Sequence, residues 1–172
     1  RGEIVGLKWD RVNWGESSIR IDTTLLYTPD RGVYESTTKT GAERIIKLPQ
    51  ETMNLFREYR CWQLETRLAM GDRWQETPYV FTGECGGHMA PDTVSGYLTR
   101  FERKYCLPHV HAHKFRHSMA SVLYFSGADP VSISKRLGHA QVSTTQNIYS
   151  HLIEQADTQS AERIADAIFR TE

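Results

Sequence analysis

Hydrophobic positions along this chain follow two kinds of spacing, and each kind predicts a different element. In residues 18–49, apolar residues such as Ile19 and Ile21 alternate with polar ones, and turn residues interrupt the segment. This pattern predicts a small antiparallel sheet of two or three strands. From residue 51 to about 74 the apolar side chains recur at roughly helical spacing, which predicts a long helix.

Helices are also predicted for most of the remaining chain. One opens at Pro91, and the side chains expected on its buried face are Val94, Tyr97, Leu98 and Phe101. Others are expected at about 113–126, 130–137, 142–150 and 155–169. Gly127 and Gly138 stand where helix C-termini favour a left-handed residue. The pattern therefore predicts an α+β fold that is mainly helical, with a small antiparallel sheet near the N-terminus.

The first residues predict the end of an amphipathic helix, from Ile4 to Trp9. A natural domain rarely begins inside a helix, so we expect a fragment of a longer protein. The 172 residues of the chain suit a single domain that spans residues 1–172.

Composition narrows the class of protein. The chain is 39% hydrophobic and 24% charged, which is typical of a globular protein in water. No apolar run approaches the roughly 20 residues that cross a bilayer, so no membrane partner is expected. The three cysteines are widely spaced and odd in number, which argues against a disulfide framework and favours a reducing cytoplasm.

The net charge is zero, but the charges are unevenly distributed. Between Arg100 and Arg136 there are seven basic residues and two acidic ones, whereas acidic residues predominate from Glu154 onward. A basic centre of this kind can bind a polyanion although the whole chain is neutral. A solvated charged surface is the alternative interpretation.

Candidate catalytic groups lie mainly in the second half of the chain: His113, Arg116, His139 and Tyr149, with Lys39 far upstream. Arginine binds phosphate oxygens in a bidentate manner, histidine moves protons near neutral pH, and tyrosine can hold a phosphoryl group covalently. On a helix, His113 and Arg116 share a face. Taken singly, each has a structural alternative: a salt-bridging arginine, a hydrogen-bonded histidine, or a tyrosine that anchors the core.

A metal site is a second interpretation of the histidines. His113 and His117 have the i, i+4 spacing of a helical zinc pair. Because no acidic residue lies between them to act as a base, and no third ligand is evident, metal-dependent hydrolysis is disfavoured. We therefore expect neither a metal nor a cofactor.

Separated motifs in the chain resemble those of the tyrosine recombinases, the phage and conjugative-transposon integrase family. Residues 112–121 resemble the family's His-x-x-Arg box, and residues 136–139, followed by Tyr149, resemble its second box and nucleophile. Residues 38–41 are similar to the turn that carries a catalytic lysine, and residues 2–9 resemble the stretch after the first catalytic arginine. The resemblance spans nearly the whole chain and implies the fold of the C-terminal catalytic domain of this family.

The resemblance also implies a role for each candidate. Tyr149 would attack the scissile phosphate and form a 3′-phosphotyrosine link, while Arg116 would hold the non-bridging oxygens. Lys39 would protonate the departing 5′ oxygen. His113 would assist proton transfer with the tyrosine, and His139 would donate a hydrogen bond to the phosphate. Because the covalent link conserves the energy of the phosphodiester, no nucleotide cofactor is required.

One departure concerns the first catalytic arginine, which in this family lies three residues before the glutamate that matches Glu3. That position falls just before Arg1, so we expect the chain alone to cleave DNA weakly or not at all. The core-binding and arm-binding modules of the family are expected to be absent as well. Two alternatives stay open: a catalytically incomplete DNA-binding remnant of the same fold, and a type IB topoisomerase-like strand transferase.

The family resemblance implies site-specific recombination or integration for a mobile genetic element or prophage. Its setting would be the bacterial cytoplasm, in association with the nucleoid. The implied partners are double-stranded DNA, a homotetramer assembled on it, and an excisionase or a host DNA-bending protein. Residues 154–169 have apolar side chains at helical spacing, and would either pack on their own domain or dock on a neighbouring protomer.

Overall fold

The computed structural model describes residues 1–37, 43–109 and 111–138. Within these residues the helices are α1 (Gly2–Val5), α2 (Gln50–Met70), α3 (Pro91–Lys104), α4 (Ala112–Phe125) and α5 (Pro130–Leu137). The strands are β1 (Val12–Asn13), β2 (Ser18–Ile21), β3 (Thr23–Thr28), β4 (Gly32–Thr37) and β5 (Arg44–Lys47). The predicted α+β fold, with a small antiparallel sheet near the N-terminus, is confirmed. None of the helices in these described residues has both the length and the apolar character needed to cross a membrane.

The strands form two antiparallel sheets instead of one. The first has the order β1-β2-β5, and Ile19 of β2 lies opposite Val12 on one side and Ile46 on the other. The second is the hairpin β3-β4, whose turn ends at Gly32 with a φ of 68°. A positive φ is easily adopted only by glycine, and this explains the residue at the turn.

The first helix is shorter than the sequence predicts. It ends at Val5, and a 3-10 turn follows at Trp9–Arg11. Between them the chain is extended: the Leu7 carbonyl accepts from the Val80 amide at 2.8 Å, and Trp9 donates to the Pro78 carbonyl at 2.9 Å. These pairings with the segment after α2 take the place of further helical turns, so the predicted helix over residues 4–9 is wrong beyond Val5.

By its contacts the chain divides into two compact units, residues 1–112 and 113–172. The prediction of one catalytic domain over the whole length stays a prediction. In the first unit the main hydrophobic cluster joins α2 to the three-stranded sheet, and its buried members are Leu7, Val12, Ile21, Met53 and Val80. A second cluster, with Val5, Leu25 and Tyr79 at its centre, joins α1 to the hairpin.

A buried side-chain amide of α2 forms hydrogen bonds with two other segments of the chain. Gln63 is 8% exposed. Its side-chain oxygen accepts from the Trp9 indole N–H at 2.7 Å, and its amide nitrogen donates to the Val80 carbonyl at 3.0 Å. A buried polar side chain is tolerated when its donors and acceptors are satisfied in this way.

Replacing Gln63 by leucine is expected to lower the free energy of unfolding by about 2–4 kcal/mol, because two buried polar groups lose their partners. Thermal or chemical denaturation checks this. Gln50→Leu, at the exposed start of the same helix, is the matched control and should change stability by less than about 0.5 kcal/mol. Equal stabilities of the two variants would contradict the importance of the Gln63 hydrogen bonds.

Helix α3 exposes part of the face that was expected to be buried. Val94 and Leu98 are partly buried, but Tyr97 is 60% exposed and Phe101 is 41% exposed. The stripe of α3 that is covered runs through Val94 and Leu98 to Glu102, which is buried. Two stripes at i, i+4 spacing therefore lie side by side on α3, and the prediction placed both against the core.

In the second unit α4 packs on α5 through a small cluster of Ala120, Ile133 and Leu137. Gly127 and Gly138 have positive φ, as the sequence predicts. The predicted helices at 142–150 and 155–169 lie outside the described residues.

Candidate active site

Arg116, which the sequence singles out as a phosphate-binding group, lies in the second turn of α4. Its guanidinium donates a hydrogen bond to the carbonyl oxygen of Leu137, the last residue of α5. The carbonyl end of a helix carries a partial negative charge, so a cation there is favoured electrostatically. The contact brings the His-x-x-Arg box and the Leu-Gly-His box together within the second unit.

The end of α5 is shaped by Gly138, which has the left-handed conformation with φ 69° and ψ 38°. Its amide caps the helix by donating to the Lys135 carbonyl at 3.2 Å. An alanine there would place a Cβ in a conformation that L-residues disfavour. The chain thus leaves α5 in a direction set by this turn, immediately before His139.

The start of α5 is fixed as well. The Asp129 carboxylate accepts from the amides of Val131 and Ser132 at 3.0 and 2.9 Å, as an N-cap does. Hydrogen bonds from Ser132, through its side chain and its amide, lower the pKa of Asp129 below its usual value. An ionised N-cap also complements the positive end of the helix dipole. Helix α5 is therefore capped at both ends, so the residue that receives the Arg116 hydrogen bond is well fixed.

Of the other predicted catalytic residues, the structure describes only the backbone of His113. His113 lies in the first turn of α4, three residues before Arg116, and its side chain is outside the described part of the structure. Lys39, His139 and Tyr149 also lie outside the described residues. Their roles stay predictions, and so does the role of Arg116 at a phosphate.

In the first unit, a carboxylate of the hairpin binds two groups from neighbouring segments. Glu35 of β4 accepts a hydrogen bond from the Tyr79 hydroxyl, and its Oε1 lies 2.9 Å from the Lys8 ammonium. Lys8, followed by Tyr79, lowers the pKa of Glu35. Burial, reinforced by the neighbouring carboxylate, raises the pKa of Tyr79. Glu35 is therefore held as an anion and Tyr79 as a neutral donor.

A second ion pair joins α1 to β5. The Arg44 guanidinium donates from Nη1 to Oε1 of Glu3 at 2.9 Å and from Nη2 to Oε2 at 2.6 Å. This two-pronged geometry is the strongest arrangement between an arginine and a carboxylate. Sequence reasoning singled out neither Arg44 nor Glu35. Both residues are near Lys39 in the sequence, but this nearness does not indicate which residues they pair with.

At the end of α3 the buried carboxylate of Glu102 lies 2.8 Å from Nδ1 of His109, while its backbone carbonyl accepts from the Leu107 amide at 2.9 Å. These contacts fold the chain back after α3. Among the described residues, no three His, Cys, Asp or Glu side chains are grouped so as to hold a metal ion.

Several known proteins are similar to this chain. Residues 1–156 of the chain match the sequence model of the phage integrase family. A tyrosine recombinase XerC-like protein of Caldanaerobacter subterraneus subsp. tengcongensis is 27% identical over 96% of this chain and 46% of the relative. Transposase A from transposon Tn554 of Staphylococcus aureus is 31% identical over 90% of this chain and 40% of the relative. The chain thus spans about half the length of these curated relatives, or less.

Solved structures share the fold. The Tn1549 transposon integrase in complex with transposon right end DNA superposes with a TM-score of 0.74 at 22% identity, covering 95% of this chain and 54% of that one. The XerA recombinase superposes with a TM-score of 0.66 at 26% identity, covering 92% and 52%. With a family match over most of its length and this fold, the chain belongs to the phage integrase family of tyrosine recombinases.

Proposed function

We propose that this chain carries the catalytic site of a site-specific DNA recombinase that cleaves and rejoins strands through a 3′-phosphotyrosine intermediate. The family match over residues 1–156 supports this, because it includes all five predicted catalytic residues. The observation that carries the proposal is the hydrogen bond from Arg116 to Leu137. It joins a predicted phosphate ligand to the residue two before His139, which supports the proposal that the two boxes contribute to one site.

The proposed cleavage step transfers a phosphoryl group without net hydrolysis. The phenolic oxygen of Tyr149 forms a bond to the scissile phosphorus, and the bond from phosphorus to the 5′ oxygen breaks. His113 takes the phenolic proton, and Lys39 gives a proton to the departing 5′ oxygen. In rejoining, a 5′ hydroxyl attacks the phosphotyrosine, the tyrosine regains its proton, and Lys39 is reprotonated.

Charge stabilisation is the proposed role of Arg116 and His139. The phosphorus centre gains negative charge on its non-bridging oxygens in the transition state, and preorganised donors stabilise that charge. Arg116 has five N–H donors in a planar fork, and its Nη1 donates a hydrogen bond to the Leu137 carbonyl oxygen. A guanidinium fixed in this way loses little freedom when it binds a phosphate.

Double-stranded DNA is the proposed substrate, and a homotetramer on DNA is the proposed working assembly. The solved relative from transposon Tn1549 is in complex with DNA, and the XerH recombinase was solved with its difH substrate. The basic residues Arg100, Arg103 and Lys104 are exposed on α3, as an interface for a polyanion requires.

Covalent capture tests the proposal without knowledge of the target sequence. The whole protein that carries this chain is incubated with nicked duplexes of random sequence, from which the short fragment that leaves with a free 5′ hydroxyl diffuses away after cleavage. Adducts that survive SDS are digested with nuclease and protease, and the nucleotide-linked peptide is identified by mass spectrometry. We expect one adduct, at Tyr149. An adduct at another residue, or binding that SDS abolishes completely, would contradict the proposal; the latter is the result for a DNA-binding remnant.

A further inference from the structure

An apolar groove with a volume of about 510 Å³ runs along one side of α2. It is lined by Leu55, Tyr59 and Trp62 of α2 and by Phe81 of the segment that follows. The centroid of the Tyr59 ring lies 5.2 Å from that of Trp62 and 5.5 Å from that of Phe81. Leu55 and Trp62 are 63% and 53% exposed. A contiguous exposed apolar surface of this kind is typical of an interaction site.

A line of carboxylates borders the groove. Glu51, Glu58 and Glu65 are exposed and seven residues apart, so they lie on one side of α2. No residue three or four positions from Glu58 or Glu65 is charged, so neither has an oppositely charged neighbour at the spacing that forms ion pairs on a helix. The groove therefore presents an apolar stripe with an acidic edge, and its charge complements an apolar helix with a basic edge.

Helix α3 has such a surface. Tyr97 and Phe101 form an exposed aromatic stripe, which continues to Tyr105 directly after the helix. Arg100 follows Tyr97 by three residues, and Lys104 follows Phe101 by three, so both cations border the stripe on the same side. Both are exposed. The first unit thus carries two surfaces that complement each other in apolar character and in charge.

We propose that α3 of one molecule docks in the α2 groove of a second copy of the chain. On both helices the charged residue follows the apolar one by three positions, as Glu58 follows Leu55 and Arg100 follows Tyr97. The charged edges therefore have the same hand on the two helices. Of the two ways to pack them, the antiparallel one brings the acidic edge opposite the basic edge.

The contact is head to tail, because it joins two different surfaces. Each associated pair keeps one unoccupied groove and one unoccupied stripe, so further copies can add to it. A contact of one helix from each molecule is smaller than the roughly 1,200 Å² above which interfaces become stable, so the association is weak and reversible. Arg100 and Lys104 are also proposed above to face DNA, and the contact therefore belongs to the protein free of DNA. The inference does not rest on the proposed chemistry of strand cleavage.

The test is sedimentation of the whole protein without DNA over a range of concentrations. Trp62→Ser removes the aromatic wall of the groove, and Phe101→Glu places a negative charge in the stripe. Because Trp62 is 53% exposed and Phe101 is 41% exposed, both variants should fold, which circular dichroism checks. Each variant alone should associate at least about tenfold more weakly than the wild type, as expected when an aromatic anchor is lost.

An equal mixture of the two variants is the decisive sample. Each variant keeps the surface that the other lacks, so the mixture should form a dimer and nothing larger. Leu68→Ser is the matched control for Trp62→Ser: Leu68 is on the same helix and 83% exposed, but it does not line the groove. This variant should associate as the wild type does.

Three outcomes would overturn the inference. The first is a wild-type protein that stays monomeric up to about 1 mM, in which case the groove is left for a helix of another protein. The second is a wild type that associates together with single variants that associate equally well, which would place the contact between copies on another surface. The third is a mixture of the two variants that stays monomeric.

Discussion

Tyr149→Phe is expected to abolish covalent attachment to DNA, with a fall in rate of at least about 10⁴-fold, because removal of a nucleophile leaves only binding and electrostatic stabilisation. The variant lacks one oxygen atom and keeps the ring, so DNA binding should persist. Suicide-substrate capture measures attachment, and a mobility shift on the same duplex measures binding.

Tyr27→Phe is the matched control for this result. Tyr27 lies on β3, is 56% exposed, and loses the same single oxygen. Its attachment rate should equal that of the wild type. Full attachment by Tyr149→Phe would place the nucleophile elsewhere in the protein, whereas loss of both attachment and binding would point to a structural role for Tyr149.

Arg116→Ala is expected to slow attachment by about 10²–10³-fold, the usual effect of removing one preorganised donor at a developing negative charge. The same change removes a charged hydrogen bond to Leu137, worth about 1.5–3 kcal/mol of stability. The two effects separate experimentally, because the first appears in the rate at saturating DNA and the second in the unfolding transition.

Arg116→Lys refines the test. Lysine keeps the charge and can still donate to the carbonyl of Leu137, but it lacks the planar fork that binds two phosphate oxygens. We expect most of the stability to return and most of the rate defect to remain. A return of the full rate would show that Arg116 acts as a simple point charge or through the end of α5, and not as a bidentate phosphate ligand.

Local sequence patterns predicted the extent of α2 well. The helix expected from residue 51 to about 74 is observed as α2, with a 3-10 turn at Gly71–Arg73 completing the predicted span. The left-handed glycines at 127 and 138 were also predictable, because few residues other than glycine adopt that conformation at a helix end.

The hydrophobic pattern gave a wrong prediction for α3, because two stripes on this helix have the same spacing. Tyr97 and Phe101 have the same i, i+4 relation as Val94 and Leu98, so periodicity alone could not tell which stripe faces the core. In the structure the rings of Tyr97, Phe101 and Tyr105 contact each other along an exposed face of α3, with centroids 6.4 and 4.6 Å apart. Which stripe of α3 is buried depends on the segments that pack against the helix, and the spacing of apolar residues does not identify those segments.

The candidate site, too, could be predicted from the sequence only in part. The residue types and order of His113, Arg116, His139 and Tyr149 could be recognised in the sequence, because chemistry restricts which side chains serve. The partner of Arg116 could not, since a backbone carbonyl leaves no signature in the sequence. The pairing of Glu3 with Arg44 joins residues 41 apart and depends on how α1 packs against the sheet.

Because β4 and β5 belong to different sheets, the connection between them can change in length during evolution. The register of β4 is set by β3, and that of β5 is set by β2. An insertion or deletion between them therefore shifts neither ladder, whereas the same change in an ordinary hairpin would move side chains to the wrong face. Natural variants of this protein can be expected to differ in the length of this connection more readily than in the lengths of the strands on either side.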